Sequence, residues 1–282
     1  MSTHETGRLV LVGAPLGNVA DASVRLKTVL HSVNVIAAED TRRLKRLLSD
    51  LEIDTDADIV SYFEGNEQTK TGQLVARLEG GDDIAVITDG GMPSVSDPGY
   101  RLVTAAIDVG VPLTAVPGPS APTTALAVSG LPSDRFIFEG FLPRKSGEAS
   151  RRLAEVAHQS RTTVFFESPR RIEATLAQLC ESFGSQRQAA LCREMTKTYE
   201  EVRRGTLASL LDGARDDPPR GEITLVVAGW DGPDGSEATP ERLAAEVEAL
   251  EETGLPRKEA MRQVARQYGL KRRDVYEALL SR

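Results

Sequence analysis

The chain has 282 residues, which at roughly 150 per domain suggests about two domains. Hydrophobic residues make up 40% and charged residues 27%, a globular balance that excludes a disordered, collagenous or disulfide-dense chain. The net charge of −8 argues against a protein that coats nucleic acid without specificity.

Leu9 to Val12 reads as the first strand, followed by the turn Gly13-Ala14-Pro15-Leu16-Gly17-Asn18. Leu26, Val29, Leu30 and Val33 then recur at helical spacing. Further strands are expected at 33–38, 59–63, 84–88 and 111–116, with helical stretches between them. Such alternation suits the crossovers of a parallel sheet. The segment Pro117-Gly118-Pro119-Ser120-Ala121-Pro122 reads as a linker or as a loop feeding a helix. After it the rhythm changes. Strand candidates at 135–141, 162–167, 189–192, 199–204 and 223–228 come partly without full helices between them, so a mixed sheet is expected. Asp231-Gly232-Pro233-Asp234-Gly235-Ser236 reads as a linker. In the helical tail beyond it, Leu243, Val247 and Leu250 mark one face, Ala260 and Val264 a second, and Val275 and Leu279 a third. A break falls at Tyr268-Gly269-Leu270. The expected class is α/β, with parallel and mixed sheets flanked by helices. The expected units are 1–117, 118–231 and a helical module over 237–282.

No apolar run approaches the ~20 residues of a membrane helix. The opening Met-Ser-Thr-His-Glu-Thr-Gly-Arg holds no apolar stretch, so no secretory leader is expected. Cys180 and Cys192 lack CxxC spacing and lie in apolar settings, which suits reduced, buried side chains in a cytoplasmic protein. His4, His31 and His158 are scattered, with no HExxH, so neither a metal site nor a Ser-His-Asp site is expected. GxGxxG, GxxxxGK[ST] and GxSxG are also absent. Any enzyme here works by positioning and electrostatics.

Ligands of open α/β sheets sit beyond the carboxyl ends of strands. Four turns there are loaded: Gly13 to Asn18, Ala38-Glu39-Asp40-Thr41-Arg42, Asp89 to Gly99, and Val116 to Ala121. Glycine lets backbone approach a ligand, and proline stiffens the loop. Each alone reads equally as an ordinary turn; four in register read as a binding site.

The strings VGAPLGN, AEDTR, TDGGMPSVSDPGYRLV and VPGPSA closely resemble the tetrapyrrole methylase superfamily. LPSDRFIFEGFLPRK, FFESPRR, REMTKTYEEVRRGT and RGEITLVVAG resemble its branch of small-subunit ribosomal RNA methyltransferases, which 2′-O-methylate a cytidine of 16S rRNA at the decoding centre. The resemblance covers residues 8–230 and the helical tail. It implies a tetrapyrrole-methylase-like fold of two α/β domains, S-adenosylmethionine held in the cleft between them, a homodimer, and 16S rRNA in the small ribosomal subunit as partner. By motif match it places Pro15, Asp89, Gly90, Gly91, Ser96, Ser120 and Ala121 at the cofactor, with Glu167 and Met195 from the second domain. One departure stands out. Relatives often carry a His-rich HEHNE-type stretch where this chain has Tyr62-Phe63-Glu64-Gly65-Asn66-Glu67, so no histidine there can act as a base.

A ribose 2′-OH must lose its proton to attack, and a positioned carboxylate can take it. Asp40 is the expected base, with Glu39 and Glu67 behind it. Arg42, Arg43 and Lys197 are candidates for holding phosphate or an alkoxide. Glu39-Asp40-Thr41 reads equally as the acidic cap of the helix that follows. Arg43, Arg144, Lys145 and Arg170 are candidates for an RNA-binding rim. Residues 257–282 carry eight basic and three acidic residues, a net of +5, against −5 for residues 237–256. Lys271, Arg272 and Arg273 open the last helix of a pattern that resembles a helix-turn-helix; it reads as an RNA-docking module or as a helical pair packed in a dimer. Two competing readings use the same cleft: a methylase of small tetrapyrroles, and a non-catalytic RNA-binding assembly factor.

Overall fold

The computed structural model describes residues 6–231, 239–268 and 270–280. The expected linker over 232–236, the Gly269 break and His4 lie outside these residues. The first sheet holds β1 (Leu9–Val12), β2 (Val35–Ala38), β3 (Asp58–Ser61), β4 (Ile84–Ile87) and β5 (Leu113–Val116). Their order is β3-β2-β4-β1-β5, and every pairing is parallel. The strands are short and apolar on both faces, so helices must cover both. Val10, Val12, Ile36, Ala38, Ala85 and Ile87 point to α1 (Val24–Ser32) and α2 (Thr41–Asp50). Leu9, Val35, Ala37, Ile84 and Val86 point to α3 (Glu67–Glu79) and α4 (Tyr100–Asp108). This alternation is the period-2 side-chain pattern of a strand expressed as two cores.

Pro117 to Pro122 proves to be a loop feeding a helix. α5 (Ala121–Ser129) carries the chain onto a second sheet of β6 (Phe136–Phe141), β7 (Thr162–Glu167), β8 (Gln188–Arg193), β9 (Glu201–Thr206) and β10 (Ile223–Val227). The order is β6-β7-β10-β8-β9, with β6 and β7 parallel and the other pairings antiparallel, a mixed sheet. α6 (Ser146–Val156), α7 (Ile172–Phe183) and α8 (Leu207–Asp216) cover one face. α5 covers the other, over Val164, Ala190, Cys192 and Val226.

In the tail, α9 (Pro240–Glu252), α10 (Arg257–Gln267) and α11 (Arg272–Leu280) pack on one another. Leu243, Val247, Ala260, Val264, Tyr268 and Val275 form a core of their own. The three expected apolar faces therefore meet. No helix among the described residues is long and apolar enough to cross a membrane.

Candidate active site

The four loaded turns follow β1, β2, β4 and β5, which are adjacent strands, so they converge on one edge of the first sheet. Backbone stitches them. Ala14 N–H donates to Gly91 O at 2.8 Å, and Gly91 N–H donates back to Ala14 O at 3.0 Å. Gly91 sits at φ 82°, open to glycine without strain. Gly13 and Gly118 approach so closely that a Cβ on either would lie 2.7 Å from the other's backbone. The second turn joins the third through Asp89 N–H, which donates to Glu39 Oε2 at 3.1 Å.

These turns form one wall of a cleft of about 720 Å³. The second sheet supplies the other, from Phe141, Phe166, Glu167, Lys197, Glu222, Ile223 and Thr224. Pro15, Glu39, Asp40, Arg43, Asp89, Gly90, Gly91, Ser120, Ala121, Glu167 and Lys197 of the expected residues line it.

Several of them are already engaged by neighbouring groups. Asp40 is the N-cap of α2, accepting from the Arg42 and Arg43 amides. Its carboxylate also takes the Arg42 guanidinium at 2.9 Å. The Arg42 side chain, then its amide, hold the Asp40 carboxyl down at about 2, a poor proton acceptor. The acidic-cap reading therefore describes Asp40 better than the base reading. Arg42 itself points to solvent, its side chain 89% exposed, and does not line the cleft. Arg43 pairs with Asp89 at 3.4 Å. Glu39 and Asp89 are both pushed up, chiefly by burial.

Glu67 is buried behind the wall. Its Oε1 accepts from Gly99 N–H at 2.8 Å, and Arg101 lies 3.7 Å away. It positions the loop between β4 and α4 and does not line the cleft. Asn66, beside it, braces the turn after β3 through Phe63 N–H and Ser61 O. Lys197 lies against Gly17 of the first turn, but Glu194 and Glu222 each hold it at 3.0 Å. An ammonium so matched is committed to joining the walls. Glu167 is likewise engaged: Ser168 N–H donates to Oε1 at 2.7 Å, the Thr175 hydroxyl to Oε2 at 2.6 Å, and Arg171 stands 3.7 Å off. Met195 is a core residue under α5, packed with Ala125, Leu126 and Cys192. Ser96 is exposed, and its hydroxyl faces Gly140 of β6 across the two walls.

The residue the sequence reading passed over is Asp97. It lines the cleft, and its carboxylate has no hydrogen-bond or ion-pair partner among the described residues. Burial pushes its carboxyl up to about 7, with like charge from Glu39, Asp89 and Glu222 adding to the shift. Ser94 and Ser96, just before it, are held left-handed at φ 69° and 62°. Such strain marks an over-determined loop. Nothing in the local sequence distinguishes Asp97 from Asp89; only its burial without a partner does.

Three features test the fit of a sulfonium amino-acid nucleoside. The Thr88 hydroxyl, buried at the end of β4 in the cleft lining, has no partner among the described residues. Ser120 caps α5 without a side-chain bond, so the Ala121 amide at the cleft lining is not taken by a capping side chain, and Pro122 after it carries no N–H; a helix start of this kind suits an anionic carboxylate. Unpaired Asp97 and the Glu39 and Asp89 carboxyls suit a sulfonium or an ammonium. The group fits.

The comparisons with known proteins agree with this architecture. A family model described as Tetrapyrrole (Corrin/Porphyrin) Methylases matches residues 8–211. A protein of Mycobacterium tuberculosis (strain CDC 1551 / Oshkosh) named ribosomal RNA small subunit methyltransferase I is 46% identical over 98% of this chain and 95% of its own length. A protein of the same name from Pseudomonas aeruginosa is 41% identical over 98% of both chains. Among solved structures, the methyltransferase CobJ superposes with a TM-score of 0.60 at 18% identity, over 79% of this chain and 95% of that one. Cobalt precorrin-4 methyltransferase gives 0.58 at 18%, over 78% and 94%. These structures share the fold. The sequence match over nearly the whole chain places this protein in the tetrapyrrole methylase family, among the relatives named ribosomal RNA small subunit methyltransferase I.

Proposed function

We propose that this protein 2′-O-methylates a cytidine of 16S rRNA at the decoding centre of the small ribosomal subunit, in the cytoplasm. The reading rests on a cleft whose first wall leaves the Thr88 hydroxyl and the Asp97 carboxylate unspent, in a chain whose relatives are named as small-subunit ribosomal RNA methyltransferases. S-adenosylmethionine supplies a methyl group made electrophilic by its sulfonium. The chain's own residues do the rest. Pro15, Gly90 and Gly91 line the floor, the Ala121 amide at the start of α5 would take a carboxylate, and Thr88 would offer its hydroxyl. Asp97 would accept the proton of the 2′-OH as its O–H bond breaks, leaving the oxygen free to take the methyl group that the bound donor would supply. A carboxyl near pH 7 is matched to that task, and general-base assistance of this kind contributes about 10²–10⁴-fold. Proximity supplies much of the remainder.

The tail fits RNA docking. Lys271, Arg272 and Arg273 are exposed at the start of α11, and Lys258 and Arg262 are exposed on α10. Arg43, Arg144, Lys145 and Arg170 are exposed around the cleft. A homodimer is part of the same reading: α4 presents Tyr100 and Ile107, 71% and 59% exposed, on one helical face.

The test is methyl transfer from labelled S-adenosylmethionine to small subunits lacking the modification, beside a mixture of porphyrinoids. Label on one cytidine ribose of 16S rRNA supports the reading. Label on a ring compound replaces the substrate and keeps the cleft. Cofactor binding by calorimetry without transfer to either favours the assembly factor. Removing residues 237–282 leaves cofactor affinity intact and weakens methylation of the subunit.

A further inference from the structure

Phe141 is 57% exposed at the end of β6, where its ring lines the cleft. An apolar ring left in water beside a binding site asks for an occupant. The backbone aims it there deliberately. β6 pairs with β7 as Phe138 opposite Val164, then shifts, so that Gly140 faces Phe165 and Phe141 faces Phe166. The extra residue, with Gly140 at φ 65°, is a bulge. Strict alternation puts Phe141 on the opposite face from Phe138, toward the core under α6 to α8. The bulge reverses this and sets Phe138, Phe166 and Phe141 on one side. Phe138 meets Phe166 edge-on at 5.0 Å, and Phe141 tilts over Phe166 at 5.4 Å. Phe166 thus touches both other rings and braces Phe141, which remains largely exposed.

The surroundings favour a polyanion. β6 and β7 are parallel, so Arg144 and Lys145 after β6 and Arg170 after β7 leave the sheet at the same end. All three are exposed, and Arg144 and Arg170 have no partner among the described residues. Arg171 fixes this edge by donating to Leu142 O and Pro143 O, both at 3.1 Å. A rigid aromatic face beside free guanidiniums is the pairing that binds unstacked bases and their phosphates.

We propose that Phe141 is the stacking seat for the target nucleotide's base, holding the cytosine out of the RNA stack while its ribose enters the cleft. The inference rests on the RNA-methylation reading and deepens it. A 2′-OH inside the cleft brings its own base within one nucleoside's length, and Phe141 is the exposed aromatic ring among the described residues of the cleft lining. Drawing a nucleotide into a cleft costs its stacking on its neighbours, and a ring that replaces the lost stacking offsets part of that cost.

The experiment measures methylation of unmodified small subunits by Phe141→Ala, Phe141→Leu and Phe141→Trp, with S-adenosylmethionine affinity measured by calorimetry on each. Phe136→Ala, at the far end of the same strand and outside the cleft, is the control. Stacking of one base predicts a loss of about 5- to 150-fold in kcat/KM for Phe141→Ala. Phe141→Leu should stay low, Phe141→Trp should recover most of the rate, and cofactor affinity and the control should be unchanged. Full activity in Phe141→Ala or Phe141→Leu overturns the proposal. So does a matching loss of cofactor affinity, which assigns the ring to the cofactor, or an equal loss in Phe136→Ala, which assigns it to the fold. Failure of the wild-type protein to label RNA overturns the parent reading and this one with it; an active wild type with an indifferent Phe141 overturns this one alone.

Discussion

The two walls of the cleft are made differently. The first is largely backbone and small residues on four parallel strand ends, and it leaves groups unspent: the Thr88 hydroxyl, the Ala121 amide, the Asp97 carboxylate. The second is built of long charged side chains that satisfy one another. Glu167 is taken by Ser168, Thr175 and Arg171, and Lys197 by Glu194 and Glu222. What it has to spare is apolar, the ring of Phe141. A wall of open valences holds and activates a ligand; a wall of closed ones holds the enzyme together. Counting charged residues around a cleft does not separate the two. Asking which have already found a partner does.

Asp97 is where this contrast breaks most visibly. Asp97→Asn should lower the methylation rate by about 100-fold or more while S-adenosylmethionine still binds, measured by single-turnover transfer and calorimetry. In the wild type the rate should rise with pH through about 7 and level off above it, because the base must be ionised. The stability sign is opposite to that of a structural carboxylate. Its folded pKa lies above the ordinary value of 3.8, so above pH 7 ionisation penalises the folded state, and below about 4 the penalty vanishes. Asp97→Asn should therefore raise Tm at pH 8 and leave it unchanged at pH 4. A variant less stable at pH 8 would make Asp97 a structural residue.

Gly118→Ala probes the first wall's backbone. The added Cβ would lie 2.7 Å from Gly13, so the first and fourth turns must part. Cofactor affinity should fall about tenfold or more, some 1.4 kcal/mol, in calorimetry. Glu167→Ala probes the second wall. It strips the buried Thr175 hydroxyl and Ser168 amide of their acceptor and should cost about 1–3 kcal/mol in denaturant unfolding, with cofactor affinity unchanged. An affinity loss larger than the stability loss would return Glu167 to the cofactor. The smallest effect is expected at Asp40. Asp40→Ala loses a helix cap and should lower Tm modestly, with methylation near that of the wild type. Loss of methylation in a folded Asp40→Asn variant would restore it as the base.

The sequence made the first wall legible because its work is done by glycine, proline and strand ends, which carry local signatures. The strands and their order of appearance followed from the same apolar rhythm. The second wall was harder to read. Met195 sits in a motif, but as an apolar side chain it went to the core. Lys197 has the right chemistry, yet Glu222, distant in sequence, claims it, as Gly99 claims Glu67 behind the first wall. Asp97 was missed for the converse reason: its distinction is the absence of a partner, which no spacing encodes. Phe141 depended on a bulge at Gly140, and one residue of slip decides which face a side chain takes.

The contact between Gly13 and Gly118 has a consequence for genetics. When a core side chain grows, a neighbour can shrink and rescue it, so most packing defects have suppressors. Here both partners are already without side chains, and the atoms of each that a Cβ on the other would meet are main chain, with the Met92 sulfur besides at Gly13. A mutation at either position leaves nothing to trim on the facing glycine, and trimming Met92 would not clear the main chain. Selection for restored methylation in such a mutant should return reversion to glycine, or changes elsewhere that move whole turns, and no compensating substitution at the facing residue.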